Sequence, residues 1–489
     1  MRLLYVAVVT AIAAIAAAGM PACASSSPQE GAIRAFLIKA AAAEGAPPAF
    51  AVVVVTDGNT IIETGGRTGP NSDGLPVDQN TPFYIASITK SYLGLLASKL
   101  HHGGVLSLDA TIGEVLPGQD WPEDVDPADV TMRDLLSHSA GINNPALNFR
   151  LANFGAVESA EFSRVLSVTT ENVESSKFHY TNFAYQLFAY ILEHKTGRSW
   201  KEWLRTDLLD PLGLKDTGAL RPERPLGELV WGHQLSADGW ASLSPKPSTL
   251  LHAAGGMYTT PADAARWLRS NLDKAVLDEE MFAEHRKTAT TVEARFANRT
   301  CSGYTLGMTV CRIGQLPVFG HFGAYAGWRS IMSFSPELNA GVYVLAAADD
   351  TAEVWAPIVE SQIYSILSDA DGAAVAEPLR KFEGEVQNIL AQRTRARQAM
   401  LDRIAEREWE PSAEELKRYA GTYAHPGIGS LQVSTDGDVL RLSAGVYESK
   451  LVPVEPGLFI EMTEAVTYDR IRLTPEALIW GEDKFLRQD

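Results

Sequence analysis

The chain has 489 residues, of which 46% are hydrophobic and 21% are charged, and its formal net charge is -18. This length accommodates one large catalytic domain and a smaller one, and the composition excludes a disordered or collagen-like chain. The negative charge argues against nucleic acid or an anionic membrane surface as the main partner.

The N-terminal segment has the pattern of a secretory signal, predicted over residues 1–24. Arg2 precedes an unbroken apolar stretch over 3–19, and the small residues Ala22-Cys23-Ala24 suit a cleavage site. Cys23 is alternatively a lipidation site. A transmembrane anchor is disfavoured because the stretch is brief and no positive flank follows it. We therefore expect export to a periplasmic or extracytoplasmic location, with membrane contact only through a lipid on Cys23.

The cysteine count is consistent with export. Of three cysteines, Cys301 and Cys311 remain as an even pair if Cys23 is removed or acylated. In an oxidising compartment they could close a short loop across a hairpin, and a pair of free buried thiols is the alternative.

The sequence pattern of residues 25–368 predicts one domain of the α+β (mixed α/β) class. A helix over 33–43 and a hairpin of 50–55 with 60–63 come first, helical patterns dominate 81–270, and short apolar runs at 316–319, 328–334 and 341–346 predict late strands. We expect an antiparallel sheet built from both ends of the domain and flanked by helices, with a large helical insertion.

Two further segments follow. Residues 369–410 are rich in Arg, Glu, Ala and Gln with an apolar stripe, which predicts a connecting helix. Residues 411–489 contain short alternating segments broken by turns, which predicts a small all-β, barrel-like domain.

Ser87-Ile88-Thr89-Lys90 is the most informative motif in the sequence. It places a hydroxyl and an amine one helical turn apart, at the start of a predicted helix that ends at Gly103-Gly104. A serine hydroxyl needs an adjacent base to become a nucleophile, and lysine is one recognised partner. Helix N-terminal N–H groups also favour developing negative charge. On a solvated helix face, by contrast, Ser-x-x-Lys is common by chance.

Tyr180-Thr181-Asn182 supplies a second group for proton transfer, because it precedes another predicted helix. Tyr180 could act as a phenolate if a neighbouring lysine lowers its pKa from about 10. Alternatively, Tyr180 is a half-buried residue at the helix entry and Asn182 is the helix cap.

Together these motifs resemble the serine beta-lactamase and penicillin-binding family, in particular its class C-like branch with related esterases and D-aminopeptidases. The resemblance covers roughly residues 30–366. Further matching blocks are Leu135-Leu136-Ser137-His138-Ser139-Ala140-Gly141-Ile142, Pro211-Leu212-Gly213-Leu214, Ala253-Ala254-Gly255-Gly256-Met257 and Thr260-Pro261-Ala262-Asp263.

That family carries a third motif, Lys-Thr-Gly or His-x-Gly, on a strand beside the site. Lys195-Thr196-Gly197 matches literally, but its position is explained by the end of the helix that Asn182 begins. His101-His102-Gly103 also lies at a helix end. His321-Phe322-Gly323 follows a predicted strand and precedes another, so we expect it to be the third motif.

The resemblance implies a role for each site residue. Lys90 and Tyr180 would share the proton relay from Ser87, and the resemblance does not decide which of the two is the base. His321 would polarise the tyrosine or the substrate. The oxyanion hole would be the backbone N–H groups of Ser87 and Ala324. Asn182 would orient Lys90 or contact the substrate, and Gly323 would let the substrate approach the strand. Activity should then titrate near pH 6.5, the ordinary pKa of His321.

One departure from the family bears on the substrate. Phe322 stands where the family often has a Thr or Ser that binds a substrate carboxylate, so that contact is missing unless Arg329 or Tyr325 replaces it. We therefore predict a serine hydrolase that forms an acyl-enzyme on Ser87 and acts on an ester or a peptide-like amide. The alternatives are a true class C-like beta-lactamase or DD-peptidase, and a non-catalytic binding or assembly protein on this fold.

The expected partner is a small-molecule or peptide substrate, with no nucleic acid, no metal and no cofactor. The segment Tyr419-Ala420-Gly421-Thr422-Tyr423 is similar to the start of the small barrel-like domain appended to many such hydrolases. That domain would shape the cleft or stabilise the catalytic domain.

Overall fold

The computed structural model describes residues 28–70, 73–173, 177–219, 229–236, 238–273, 278–296, 298–368, 376–462 and 469–488. The predicted signal over 1–24, with Cys23, lies outside these residues. In the part that is described, no helix combines the length and apolar character needed to cross a membrane.

Thirteen α-helices occur in the described residues. They are α1 Pro28–Ala42, α2 Thr89–His102, α3 Ile112–Val115, α4 Met132–Ser137, α5 Pro145–Asn153, α6 Ser159–Thr169, α7 Asn182–Thr196, α8 Trp200–Leu204, α9 Pro261–Asp273, α10 Glu279–Arg286, α11 Asp350–Ser368, α12 Ala376–Ala405 and α13 Ala413–Lys417.

Fifteen described strands precede α11. They are β1 Ala49–Thr56, β2 Asn59–Gly66, β3 Phe83–Tyr84, β4 Ile142–Asn143, β5 Glu171–Asn172, β6 Gly218–Ala219, β7 Gly232–Ser236, β8 Gly239–Leu243, β9 Met257–Thr259, β10 Thr290–Phe296, β11 Arg299–Tyr304, β12 Thr309–Ile313, β13 Leu316–Tyr325, β14 Trp328–Ser335 and β15 Ala340–Ala346.

The main sheet has eight antiparallel strands in the order β10-β11-β12-β13-β14-β15-β1-β2. Strands from both ends of the domain therefore meet at the β1–β15 pair, and the helices α2–α10 are inserted between them. Both faces of β1 are buried: Val52 and Val54 pack on the side of α1 and α11, and Val53 and Val55 on the side of the helical insertion. The predicted α+β class with its helical insertion is confirmed.

Eight strands after α12 form a closed barrel, which confirms the predicted barrel-like fold. They are β16 Gly421–His425, β17 Gly429–Asp436, β18 Val439–Ala444, β19 Tyr447–Glu455, β20 Leu458–Met462, β21 Arg470–Leu473, β22 Ala477–Trp480 and β23 Asp483–Arg487. The barrel packs against α5, where Phe149 contacts Trp480 with ring centroids 5.2 Å apart. Val446 N–H donates to the Phe154 carbonyl at 3.3 Å.

Helix α12 runs between the two bodies and contacts both. Arg393 pairs with Asp350 at the start of α11, and Arg397 lies 3.0 Å from Asp238 in the β7–β8 turn. On its barrel side, Met400 packs against Val454. Phe382 and Val386 are also buried against α1 and α11, and Arg403 pairs with Glu455 of the barrel, so apolar contacts and ion pairs hold the helix to both bodies.

Candidate active site

Ser87 lies in a short 3-10 turn, Ala86–Ile88, between β3 and α2. The α-helix itself begins at Thr89, two residues later than the predicted start at Ser87. Ala86 has φ 46, a left-handed conformation that disfavours residues with a Cβ. Among described non-glycine residues, only Ala86, His138 and Asn339 have positive φ.

The contacts around Ala86 hold this strained turn in place. Ile85 N–H donates to the Met257 carbonyl at 3.0 Å, and the Ser330 hydroxyl donates to the Ile85 carbonyl at 2.9 Å. The Thr89 hydroxyl donates to the Ala86 carbonyl at 2.7 Å. Strain of this kind persists where surrounding contacts over-determine the backbone, and it is typical of catalytic elements.

Lys90 is completely buried and faces Ser87. Its Nζ atom lies 3.0 Å from Ser87 Oγ, 2.8 Å from Asn182 Oδ1 and 2.6 Å from the Ala254 carbonyl oxygen. The helix α7, which begins at Asn182, and the segment before β9 thus converge on one amine. The predicted association of Ser87, Lys90 and Asn182 is present in the structure.

Burial lowers the pKa of Lys90 well below its ordinary value, because a charged amine is poorly solvated there. A neutral amine has two N–H bonds and one lone pair. The Asn182 Oδ1 and Ala254 carbonyl oxygens can only accept, so they take both N–H bonds and leave the lone pair directed at Ser87. In this state the Ser87 hydroxyl donates to Lys90, which is the arrangement that a general base requires.

Tyr180 lies on the other side of Ser87. Its ring is 4.9 Å from Lys90 Nζ, and its hydroxyl is hydrogen-bonded to Ser87. Desolvation raises the Tyr180 pKa above its ordinary value, and the bond to Ser87 only partly opposes this. The expectation that a neighbouring cation lowers this pKa is therefore wrong, because Lys90 is itself driven neutral. Tyr180 therefore remains a phenol that can donate a proton. Its side chain is reachable by a substrate, because 43% of the residue surface is exposed.

The helix cap beside Tyr180 is Thr181, whose side chain accepts from Phe183 N–H at 3.1 Å. The alternative in which Asn182 is the cap is thus wrong. Asn182 does not cap the helix, so its side-chain oxygen can accept a hydrogen bond from Lys90.

His321 lies within β13 rather than after a strand, and it is 4% exposed. Its Nδ1 is 2.6 Å from the Phe322 carbonyl oxygen, which can only accept, so Nδ1 carries the proton. Nε2 therefore accepts from the Tyr304 hydroxyl at 2.9 Å. Both nitrogens are engaged in these bonds, so His321 contacts Tyr180 only through its ring, with the centroids 6.1 Å apart, and its expected role in polarising the tyrosine or the substrate stays a prediction.

The His321 pKa also corrects the sequence-based expectation. Burial lowers this pKa to about 3. His321 therefore stays neutral at every pH at which most enzymes work, and the expected titration near pH 6.5 does not arise from it.

His138 is a site residue for which the sequence indicated no role. It ends α4 with φ 60, and its Nδ1 accepts from Thr181 N–H at 3.3 Å. Its ring lies 4.4 Å from that of Tyr180 and 4.9 Å from that of Tyr304. His138 therefore fixes both the entry of α7 and the wall behind Tyr180.

Gly323 allows β13 to approach the catalytic turn. A Cβ at this position would lie 2.1 Å from the Ile85 carbonyl oxygen and 2.1 Å from Ser330 Oγ. The backbone before Ser87 therefore requires a glycine here, and the expected approach of a substrate to this strand stays a prediction. Because β12 pairs with β13 only as far as Gly320, residues 321–325 have a neighbouring strand on one side only. Their other edge is the one beside the catalytic turn.

A cleft of about 750 Å³ opens in front of Ser87 and is called here the Ser87 cleft. Tyr180, Asn182, Tyr304, His321, Gly323 and Ala324 line its inner end. Most of the remaining wall is apolar, with contributions from Phe178, Phe296, Phe322, Ile331, Ala356 and Pro357.

Phe322, the residue that departs from the family pattern, forms part of this wall. The Arg299 guanidinium lies 4.3 Å from its ring centroid and is itself bound to Glu360 in a fully buried ion pair. Arg329 pairs with Asp349 at 2.5 Å and Glu353 at 3.3 Å, so it is already neutralised and is a poor substitute for the missing carboxylate contact.

The other sequence motifs lie at helix ends. Lys195 is in the last turn of α7, which Gly197 ends with φ 67, and His101 is in the last turn of α2. Neither lines the Ser87 cleft. Cys301 and Cys311 are opposite each other on β11 and β12 and form a disulfide. In the described part of the chain, no cluster of three His, Cys, Asp or Glu residues could hold a metal.

Comparison with known proteins agrees with this geometry. The family model described as Beta-lactamase matches residues 35–362. The chain is 28% identical to Penicillin-binding protein 4 of Amycolatopsis lactamdurans over 345 residues, which is 68% of this chain and 87% of that protein. It is 21% identical to Protein flp of Staphylococcus aureus (strain MW2) over 348 residues, 70% of this chain and 68% of that protein.

Two solved structures share the fold. The octameric penicillin-binding protein homologue from Pyrococcus abyssi matches with a TM-score of 0.59 and 20% identity, covering 94% of this chain and 99% of that chain. The D-amino acid amidase from Ochrobactrum anthropi SV3, in complex with D-phenylalanine, matches with a TM-score of 0.59 and 22% identity. That match covers 70% of this chain and 100% of the amidase.

Proposed function

The chain belongs to the beta-lactamase family, and from that premise we propose that it is a serine hydrolase that forms an acyl-enzyme on Ser87 and hydrolyses an ester or an amide. The observation that carries this proposal is the buried amine of Lys90, 3.0 Å from Ser87 Oγ, with both of its neutral N–H bonds already taken.

The acylation step follows from these contacts. The Ser87 hydroxyl gives its proton to Lys90 as its oxygen attacks the substrate carbonyl carbon. The carbonyl oxygen becomes an oxyanion, for which the backbone N–H groups of Ser87 and Ala324 are the donors we assign. Tyr180, which keeps its proton, donates to the leaving alcohol or amine, and Lys90 returns the proton to Tyr180.

Deacylation uses the same groups in the reverse sense. Lys90 takes a proton from water as the water oxygen attacks the acyl carbon, and Ser87 leaves with the proton that Tyr180 donates and Lys90 then restores. In this scheme Tyr304 and His321 act as positioning residues. Their hydrogen bond fixes the imidazole tautomer and the inner wall of the cleft.

The wall of the Ser87 cleft supports an ester or amide with an apolar group rather than a penicillin. Phe322 supplies no hydroxyl for a substrate carboxylate, and Arg329 is occupied by Asp349 and Glu353. The amidase among the similar structures is named for D-amino acid amides, which makes these amides, with simple esters, the first substrates to test. A class C-like beta-lactamase or DD-peptidase is the second candidate, favoured only by the family.

A fluorophosphonate probe tests the proposal. The wild-type protein should be labelled and Ser87→Ala should not. Ser91→Ala, which removes another buried serine close to the start of α2, is the matched control and should still be labelled. Turnover of aryl esters, D-amino acid amides and nitrocefin then ranks the substrate classes. Equal labelling of wild type and Ser87→Ala would contradict the proposal, and the absence of both labelling and turnover would support a non-catalytic protein.

Export is part of the same proposal and rests on the apolar segment after Arg2 and the Ala22-Cys23-Ala24 sequence. The Cys301–Cys311 disulfide supports an oxidising compartment. Mass spectrometry of the protein made in a bacterial host distinguishes the outcomes, because cleavage after Ala24 and acylation of Cys23 give different N-terminal peptides. An uncleaved N-terminus would contradict the proposal.

A further inference from the structure

A second cavity, of about 770 Å³, lies between the catalytic domain and the barrel. On one side it is bounded by the segment 243–247 and the end of α5, and on the other by β19 and its neighbours. Lys246 lies in its wall, and we call it the Lys246 cavity. The barrel therefore encloses space with the catalytic domain instead of only packing against it.

The amine of Lys246 is held without a balancing charge. Its Nζ lies 3.1 Å from the Tyr325 ring centroid and donates to the Ala152 carbonyl at 2.9 Å. In the described chain Lys246 forms no ion pair, and desolvation lowers its pKa to about 6. An anion beside the amine would restore the charged form, because it would offset the cost of desolvation.

The barrel side of the cavity carries both basic and acidic side chains. Arg441 and Lys450 are cross-strand neighbours on β18 and β19, and both line the cavity. Two acids also line it: Glu448 lies 3.4 Å from Arg441, and Asp469 accepts from the Trp480 indole at 3.2 Å. Arg441 also pairs with Asp436 at 2.8 Å, so among the described residues of the wall Lys246 and Lys450 are the basic side chains without an ion pair, and they favour an anionic ligand.

The Lys246 cavity adjoins the catalytic centre. Ala324, the assigned oxyanion donor, lines the Ser87 cleft, and Tyr325, the next residue on β13, lines the Lys246 cavity. The two cavities therefore meet at the end of β13, one on each side of the Ala324–Tyr325 step.

We infer that the Lys246 cavity is the second half of the substrate site, and that the substrate carries a carboxylate that binds Lys246 while its apolar group occupies the Ser87 cleft. This inference rests on the proposed hydrolysis at Ser87. It makes the barrel a part of the binding site, because Lys450 approaches the same carboxylate from the opposite wall.

The test uses nitrophenyl monoesters of dicarboxylic acids of increasing chain length, each compared with its methyl-capped neutral counterpart. The full-length protein should prefer the acid over the neutral ester at one chain length by about tenfold in kcat/KM, as expected for a charge-assisted hydrogen bond. Lys246→Met should reduce this ratio to about one, and Lys246→Arg should restore part of it. Lys195→Met, at the end of α7, should keep the wild-type ratio.

Lys450→Gln is a second variant that tests the same inference if Lys246→Met does not fold. Lys450 is exposed on the barrel wall, and its loss should lower the ratio by about two- to threefold by removing a partly screened charge. Equal turnover of acid and neutral esters at every chain length in the wild type would overturn the inference while leaving hydrolysis at Ser87 intact. Absence of all turnover and of Ser87 labelling would instead overturn the proposed function.

Discussion

The amine of Lys90 and the hydroxyl of Ser87 are 3.0 Å apart, and the other two hydrogen-bond partners of the amine can only accept. These partners are the Asn182 side-chain oxygen and the Ala254 carbonyl. The strained Ala86 before Ser87 and the buried start of α2 fix both members of the pair. The reactivity assigned to Ser87 therefore depends on one neutral, buried lysine.

Asn182→Asp should shift the acid limb of the pH–rate profile upward. Activity requires neutral Lys90, so in the wild type it is lost as the pH falls through the depressed Lys90 pKa. A carboxylate in place of the amide, 2.8 Å from Nζ, would stabilise the ammonium and raise this pKa. Measurement of kcat/KM against pH checks the shift. The exposed Asn80→Asp serves as the control, and coincident acid limbs in Asn182→Asp and wild type would argue against Lys90 as base.

Tyr304→Phe should lower kcat without creating a new titration between pH 5.5 and 8. The variant removes the hydroxyl that donates to His321 Nε2 at 2.9 Å, so it loosens the ring but leaves it buried. Because the His321 pKa is lowered to about 3, the imidazole remains neutral through this range. We expect a loss of about tenfold, equivalent to one buried hydrogen bond. An inflection near pH 6.5 in the wild-type profile that His321→Asn abolishes would contradict this account.

Gly323→Ala should inactivate a folded protein. The added methyl group would lie 2.1 Å from the Ile85 carbonyl oxygen, so β13 or the turn that carries Ser87 must move. A displacement of about 1 Å at a catalytic group costs roughly a hundredfold in rate. Gly384→Ala is the matched control, because nothing lies within 4 Å of a Cβ there. Ester turnover and circular dichroism of both variants separate loss of activity from loss of fold.

The protein should lose stability as the pH falls below 6.5. His285 is fully buried, and burial lowers its pKa to about 3, so the unfolded chain binds a proton that the folded chain does not. Its contribution is complete above pH 6.5 and is lost as the pH falls toward 3. Between pH 7 and 5 the loss is about 2 kcal/mol per histidine.

Urea unfolding at pH 7 and pH 5 measures this loss. In His285→Gln the difference in free energy of unfolding between the two pH values should be smaller than in the wild type by about 2 kcal/mol. The comparison of differences remains valid even if the variant is less stable at both pH values. An unchanged difference would show that His285 does not contribute.

The sequence predicted what depends on side-chain pattern. Apolar periodicity predicted the helical insertion, alternation predicted the barrel strands, and the spacing of Ser87 and Lys90 predicted their contact. The protonation states were not predictable, because they follow from burial that only the fold creates. Lys90 is driven neutral, Tyr180 keeps its proton and His321 does not titrate near neutrality, all three through desolvation.

Groups outside the motifs were also beyond prediction from a single sequence. The Ala254 carbonyl is a backbone group with no side-chain signal, and Tyr304 is brought beside His321 by the register of β11, β12 and β13. His138 lies in a block that resembles the family, but its αL conformation at a helix end is the kind of outlier that only coordinates display.

The central claim is that a neutral Lys90 activates Ser87, and the rate of covalent labelling by a fluorophosphonate as a function of pH tests it most directly. Peptide mass spectrometry should find one adduct, on Ser87, and its rate should reach a plateau well below pH 10.5, the ordinary pKa of lysine. An adduct on another residue, or a rate that still rises through pH 10.5, would contradict the account.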